Sequence, residues 1–300
     1  MYDRIIENMI LFEGVDPNRV YILGYSAGGD GTYQIAPRMS DRWAAANMSA
    51  GHPNGVNLRN LYHVPLLIQM GEKDTRYNRH SEAARYYQRL EALQEREDGG
   101  YFHDVFIHVD RGHGVRDNLA SRESQVLIAE PIDWLENQNR KSVKGNSNAI
   151  DWITRFERAP LPRRVIWDLK TVADRSGVNR EGKSFWPSQA RGRRHYWISS
   201  GDQAPAETAT DEIIVYYRGA NLFTIEKAGP HLEIMLTQRM VDMSQPLHFS
   251  WDGVHATIQV RPSLRQMIRT VIERGDPEYI FAAVVKVSRN GNELQVVQVP

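Results

Sequence analysis

Between Arg19 and Met39 the chain reads RVYILGYSAGGDGTYQIAPRM, an almost continuously apolar run that meets a cluster of glycines and then returns to helical spacing. A run without alternation suits a strand of a parallel sheet covered on both faces, and such strands need crossovers that lay helices on the sheet. At the junction, Gly24-Tyr25-Ser26-Ala27-Gly28 has the form G-x-S-x-G. In a strand-to-helix context that pattern makes a sharp turn which lifts a serine hydroxyl clear of the sheet. Glycines two residues either side of Ser26 remove Cβ atoms that would block the approach of strand and helix, and Ser26 is expected in a strained conformation. The plain alternative is a Gly-rich turn with an incidental serine. A dinucleotide fingerprint does not fit, because Gly29-x-Gly31 would need a third glycine where Gln34 stands.

The same alternation continues on both sides of this turn. MYDRIIENMILFEG places Ile6, Met9, Ile10 and Glu13 at helical spacing and stops at Gly14, before the turn Asp16-Pro17-Asn18. AAANMSA and PLLIQMG read as strands, Ser81 to Glu95 as a helix with Tyr86, Leu90 and Leu93 on one stripe, YFHDVFIHV as a strand, and Gln125 to Asn137 as a helix. Strands alternating with helices predict a parallel sheet with helices packed on it.

Patterning changes at KSVKGNSN, residues 141–148, which is polar and aperiodic and reads as a linker. Beyond the short amphipathic piece AIDWITRFERA come short alternating strands, RHYWIS, DEIIVYYRG, LFTIE, LEIMLT, PLHFSW and ATIQV. Helical spacing returns in SLRQMIRTVIERG, where Leu264, Met267, Ile268, Val271 and Ile272 share a face. The strands YIFAAVVKV and ELQVVQV then flank the turn Arg289-Asn290-Gly291-Asn292. The expected organisation is an α/β domain over 1–140, a linker over 141–148 and a mostly β accessory domain over 149–300.

Composition narrows the chemistry. Lys plus Arg balances Asp plus Glu at 37 each, so no bulk field draws the molecule onto nucleic acid or lipid. Between Arg155 and Arg194, basic residues are interleaved with Trp167, Phe185 and Trp186, a pattern that can bind single-stranded nucleic acid. The sequence carries no RRM, KH or helix-turn-helix signature, and the patch reads as solvated loops or a docking surface, so no nucleic-acid partner is expected. The longest apolar runs, such as Val20 to Leu23 and Ile280 to Val285, are far short of the roughly 20 residues that cross a bilayer. No membrane partner is expected, and the acids in the first segment do not suit a signal peptide. Cysteine is absent, which removes thiolate metal sites and a cysteine nucleophile. A nucleophile here must carry oxygen or nitrogen.

A serine hydroxyl needs a base to take its proton, and the base needs a carboxylate to orient it. Asp74 follows the strand PLLIQMG in Gly71-Glu72-Lys73-Asp74, and His113 follows YFHDVFIHV in Gly112-His113-Gly114, whose glycines let the imidazole swing toward the serine. Each stands just past a strand's carboxyl end, in the order Ser, Asp, His. Asp74 also fits a turn or helix cap. Asp110 is the rival acid, and His108, Asp110 and His113 together form an H-x-D-x-x-H metal candidate that no known geometry enforces. The other histidines, His52, His63, His80, His103, His195, His231, His248 and His255, read as surface or core residues.

VYILGYSAGGDGTYQIA, PLLIQMGEKDTR and HVDRGHGV together resemble the nucleophile, acid and histidine segments of serine α/β-hydrolases, near the esterase, polyhydroxyalkanoate-depolymerase and prolyl-oligopeptidase-like members. The resemblance covers roughly 1–140. It implies Ser26 as nucleophile, Asp74 as acid, His113 as base, the Ala27 amide as an oxyanion donor, and no cofactor or metal. The implied substrate is a small ester or a peptide, with hydrolysis of a carboxylic ester through an acyl-enzyme expected first. A serine peptidase of prolyl-oligopeptidase type is the alternative, and an inactive hydrolase acting as a binding protein is the second. HLEIMLTQRMVDMSQPLHFSWDG and TVIERGDPEYIFAAVVKV are similar to a β-rich C-terminal module of some bacterial hydrolases of this type.

The chain departs from the family in one respect. Several strands precede the nucleophile strand in these hydrolases, and a loop after one of them supplies a second oxyanion donor, whereas 25 residues precede Ser26 here. The expectation is a hydrolase sheet lacking its N-terminal half, with the strand at Val20 to Tyr25 open to self-association along one edge.

Overall fold

The computed structural model describes residues 2–115, 125–169, 194–201, 212–229 and 232–300. These fall into two units, Asn18–Arg158 and a second that joins Met1–Pro17 to Ala159–Pro300. The first helix, α1 (Tyr2–Glu13), forms where its spacing predicts and belongs to the second unit.

In the first unit, β1 (Tyr21–Tyr25) leads into α2 (Ala27–Ile35), β2 (Ala45–Ser49), β3 (Leu66–Gly71), α3 (Arg79–Arg96) and β4 (His103–His108). The four strands lie parallel in chain order, with registers such as Tyr25 opposite Ser49 and Gly71 opposite His108. The apolar residues of β2 and β3 are buried throughout, as a sheet covered on both faces requires. Among the described residues, strand β1 stands at an edge of the sheet, as expected of a strand open along one side, with Tyr21 to Gly24 half-buried and Tyr25 exposed.

The predicted helix over Gln125 to Asn137 is divided. Gln125–Ile128 is a strand, β5, pairing antiparallel with β4, and only Pro131–Asn137 is helical, as α4. Pro131 explains the break: it can occupy the first turn of a helix, but in a helix interior it removes a hydrogen bond and clashes with the preceding turn. The segment expected as a linker holds β6 (Ser142–Gly145), which pairs with β5 and makes the sheet mixed. Helix α5 (Ala149–Ile153) follows, its N-terminus capped by the Asn148 side chain, and packs Ala149, Trp152 and Ile153 against Ala45 and Leu67. Arg158 closes the unit, its backbone N–H donating to Asn18 O at 2.9 Å and its guanidinium to Asp41 O at 3.0 Å. Cohesion of the first unit therefore runs past the expected boundary.

Among the described residues, the second unit holds two five-stranded sheets. One has the order β14-β13-β11-β10-β7, from Val254–Ile258, Leu247–Trp251, Leu222–Lys227, Glu212–Gly219 and Arg164–Asp168. The other has the order β16-β15-β12-β9-β8, from Glu293–Gln298, Ala283–Asn290, Leu232–Leu236, Ile198–Ser199 and Arg194–His195. Inward side chains from both sheets form one apolar cluster that includes Trp197, Phe223, Phe249, Ile234 and Val285. Strand β7 was not among the expected strands, because RVIWD sits inside the arginine-rich stretch that reads as solvated loops. The rest of that stretch, Lys170, Arg175, Arg180, Lys183, Phe185, Trp186, Arg191 and Arg193, lies outside the described residues, as does His231.

Helix α6 (Leu264–Arg274) forms as predicted, but its apolar stripe faces outward. Leu264 and Ile272 are about 70% exposed, while Gln266 and Thr270 are buried. Those two residues bond to backbone: Gln266 Nε2 donates to Pro300 O at 2.5 Å, and Thr270 Oγ1 accepts from Phe281 N at 3.1 Å. The buried polar face therefore finds main-chain partners where it turns in.

Candidate active site

Ser26 joins β1 to α2 with φ 55° and ψ −119°. A side chain in that region costs about 1–3 kcal/mol and persists only where the surroundings enforce it. Here the turn is tied on both sides, Ser26 N donating to Ser49 O at 2.9 Å and Asp30 N donating to Ser26 O at 3.0 Å. Gly24 is sterically required, since a Cβ there would lie 2.0 Å from Gly28 O. Gly28 is not: its Cβ would meet nothing within 4 Å. The second necessary glycine is Gly29, where a Cβ would lie 2.6 Å from Ser49 O, because the third residue of α2 faces back onto β2.

The loops after β3 and β4 are joined to one another before they reach the serine. Glu72 N donates to His108 O at 3.0 Å and Lys73 N to Arg111 O at 2.6 Å. A Cβ on Gly71 would lie 2.1 Å from Gly112 O, so the crossing needs glycine in the acid strand, whereas Gly112 and Gly114 have open space around them. This arrangement aligns three side chains. Ser26 Oγ lies 2.9 Å from His113 Nε2, and His113 Nδ1 lies 2.7 Å from Asp74 Oδ2. An ionised carboxylate only accepts hydrogen bonds, so Nδ1 carries the proton and Nε2 offers its lone pair to the serine hydroxyl. The Asp74 side chain is 2% exposed and that of His113 41%. One end of the relay is dry and the other open. Ala27 is the first residue of α2, where backbone N–H groups have no intrahelical acceptor and the helix dipole favours negative charge.

The rival acid is engaged elsewhere. Asp110 is exposed, its carboxylate 3.1 Å from Lys73 Nζ and 3.2 Å from Arg140 Nη2. The hydrogen bond and charge of Lys73, followed by the charge of Arg140, hold Asp110 below the usual carboxylate range. His108 is buried and points into the sheet, with Nε2 2.8 Å from Gln69 Oε1. His108, Asp110 and His113 thus face three ways, and among the described residues no three His, Asp or Glu side chains gather as a metal site.

Two neighbours of the relay escape the motif reading. Arg79 Nη1 lies 3.6 Å from Asp74 Oδ1, the oxygen that His113 leaves free, and the Arg79 side chain is 11% exposed. The helix expected from Ser81 starts two residues earlier, and the left-handed pair Tyr77 and Asn78 turns its first residue back onto the acid loop. Tyr25 Oη donates to the backbone carbonyl of His113 at 2.8 Å, and the two rings lie 5.5 Å apart. A G-x-S-x-G pattern assigns no role to the residue before the serine, so only the geometry reveals this contact.

No protein-family model matches this chain, and the curated proteins give no match either. Among solved structures the chain is similar to one described as "Crystal Structure of a Thermostable Esterase", with 20% identity over 52% of this chain and a TM-score of 0.32. The chain spans 35% of that structure's length, and a likeness of this degree carries no inference about activity.

Proposed function

We propose that the unit Asn18–Arg158 is a serine hydrolase that cleaves a carboxylic ester through an acyl-enzyme. The observation that carries this reading is the unbroken relay from Ser26 Oγ through His113 to a buried Asp74, at 2.9 and 2.7 Å. Further support comes from where the residues stand: at the carboxyl ends of β1, β3 and β4, in the chain order of α/β-hydrolases.

In this mechanism Ser26 Oγ attacks the ester carbonyl carbon while its proton passes to His113 Nε2. The carbonyl electron pair moves onto oxygen, and the Ala27 N–H at the start of α2 donates to that oxyanion. Collapse restores the carbonyl, breaks the bond to the alcohol oxygen, and returns the proton from His113 to the leaving alcohol. Water then repeats the sequence against the acyl-serine and releases the acid. Asp74 keeps the imidazole in the working tautomer and stabilises the imidazolium. An oxyanion donor of this kind is worth about 10²–10³ in turnover.

Initial rates on p-nitrophenyl esters of graded acyl length, compared with aminoacyl amides, test the proposal. Ester turnover that disappears in Ser26→Ala is the expected result. Faster cleavage of the amides would favour a serine peptidase, and ester turnover that survives Ser26→Ala would refute the mechanism.

A further inference from the structure

Strands β1 and β4 stand three places apart in the sheet, about 14 Å at the usual strand spacing. His113, carried on the loop after β4, has to bridge that separation to meet Ser26. At its base the loop is fixed to the acid loop, through Glu72 N to His108 O and Lys73 N to Arg111 O. Those bonds set its root and not its tip. Toward the tip, the Gly112 carbonyl crosses over Gly71, Val115 N donates to His113 O at 2.9 Å and the imidazole meets Asp74, while Gly112 and Gly114 themselves are exposed; none of these contacts reaches the nucleophile strand.

Two contacts join the tip to the nucleophile's own strand and turn. One is the hydrogen bond of the relay itself, and the other is the Tyr25 hydroxyl donating to His113 O at 2.8 Å. The Tyr25 ring lies 5.5 Å from the imidazole at an interplanar angle of 36°, so it also limits how far the imidazole can swing. Tyr25 is 41% exposed, so burial does not account for an aromatic residue at this position.

Building on the proposed hydrolase mechanism, we infer that Tyr25 is a positioning residue for the base: its hydroxyl tethers the His113 backbone to the nucleophile strand and sets the distance from Nε2 to Ser26 Oγ. The Tyr25 hydroxyl bonds to the His113 backbone carbonyl, not to a reacting atom. It acts through His113, and its effect falls on the chemical step rather than on substrate affinity. Because β1 carries the tether and leads directly into the serine, a shift of that strand moves nucleophile and base together.

Tyr25→Phe in the full chain isolates the hydroxyl while keeping the ring. On p-nitrophenyl acetate, kcat is expected to fall roughly 5- to 50-fold with KM unchanged, the range for one lost hydrogen bond that loosens a catalytic group. Combined with His113→Ala, the same change should have no further effect. The melting temperature should not move, which separates a tether from a structural role. A second arm does not depend on turnover. In the Ser26→Ala background, the His113 imidazole signals, identified by their loss in His113→Ala, should shift or broaden in nuclear magnetic resonance spectra when Tyr25 becomes Phe. Unchanged kcat together with unchanged imidazole signals would overturn the tether, as would a raised KM at constant kcat, which would make Tyr25 a substrate contact. A wild-type chain without ester turnover would count against the hydrolase reading, while the imidazole signals would still decide the tether.

Discussion

The two units handle polar groups in opposite ways. In Asn18–Arg158 the sheet interior holds Asn47, Ser49, Gln69 and His108, all essentially inaccessible, and the backbone is strained at Ser26. These side chains are not idle. His108 Nε2 meets Gln69 Oε1, Gln69 Nε2 donates to Ser147 O, and Asn47 Nδ2 donates to Ser49 Oγ, a chain of bonds beneath the turn that holds the serine. In the β-rich unit the shared interior of the two sheets is apolar from Val165 to Leu294. Some of its buried polar residues serve turns and helix ends, as Asn221 does through Asp242 and as Asp276 does by accepting from Glu278 N. A bonded cluster of buried polar side chains and a strained serine lie where chemistry is proposed, while the shared interior of the two β-rich sheets is apolar.

The largest effect expected from this contrast is catalytic and confined to one unit. Ser26→Ala should abolish ester hydrolysis, His113→Ala should lose nearly as much, about 10⁴-fold or more, and the two losses should not add in the double variant. Steady-state kinetics check this, and additive losses would show that the residues do not act as a unit. Asp74→Asn should cost somewhat less, roughly 10³- to 10⁴-fold. Asp110→Asn should leave the rate nearly unchanged, since that carboxylate is taken up by Lys73 and Arg140.

Stability comes next. Trp197 is fully buried between the sheets of the β-rich unit, and Trp197→Ala should destabilise that unit by about 3–5 kcal/mol in urea titrations while leaving kcat unchanged at low temperature. In the other unit, Gly24→Ala forces a Cβ into Gly28 O and should cost about 3 kcal/mol, whereas Gly28→Ala, inside α2 with open space around it, should be neutral or stabilising by up to about 1 kcal/mol. Equal effects at the two glycines would show that the steric reading of the turn is wrong.

A further effect, confined to alkaline pH, is expected on stability. Burial, partly offset by the neighbouring Arg59, raises the Tyr101 phenol from 10.0 to about 12. The folded chain therefore holds that proton more tightly than the unfolded chain. This contribution is present below pH 10 and is lost as the pH rises toward 12, amounting to about 2–3 kcal/mol. Tyr101→Phe should flatten that stretch of the stability curve, measured by urea midpoints across the same pH range. A curve that falls as steeply in the variant would assign the loss to other groups.

Much of this arrangement is legible in the sequence, because the signals are local. The strand and helix around Ser26, the carboxyl-end positions of Asp74 and His113, and the alternating strands beyond Arg194 all follow from short-range periodicity and turn chemistry. The elements misread depend on something farther away. QVLI and SVKG are too short and ambiguous to declare themselves strands until they pair with each other and with β4. RVIWD is obscured by the arginines around it. Periodicity finds the apolar stripe of α6 but not its direction; the face that turns in finds main-chain partners at Phe281 and Pro300. At the site, residue types and order nominate Ser26, Asp74 and His113 but leave Asp110 as a rival acid until geometry pairs it with Lys73 and Arg140, while Arg79, Tyr25 and Gly29 emerge only from the packing of one loop or strand against another.

The most direct measurement is labelling of the intact chain with a fluorophosphonate, followed by mass spectrometry of the adduct, since only an activated serine reacts with such a probe. One adduct per chain, located on Ser26 and absent from both Ser26→Ala and His113→Ala, is the result expected of a working relay. An unlabelled chain, or an adduct on another residue that persists in Ser26→Ala, would contradict the assignment of Ser26 as the nucleophile.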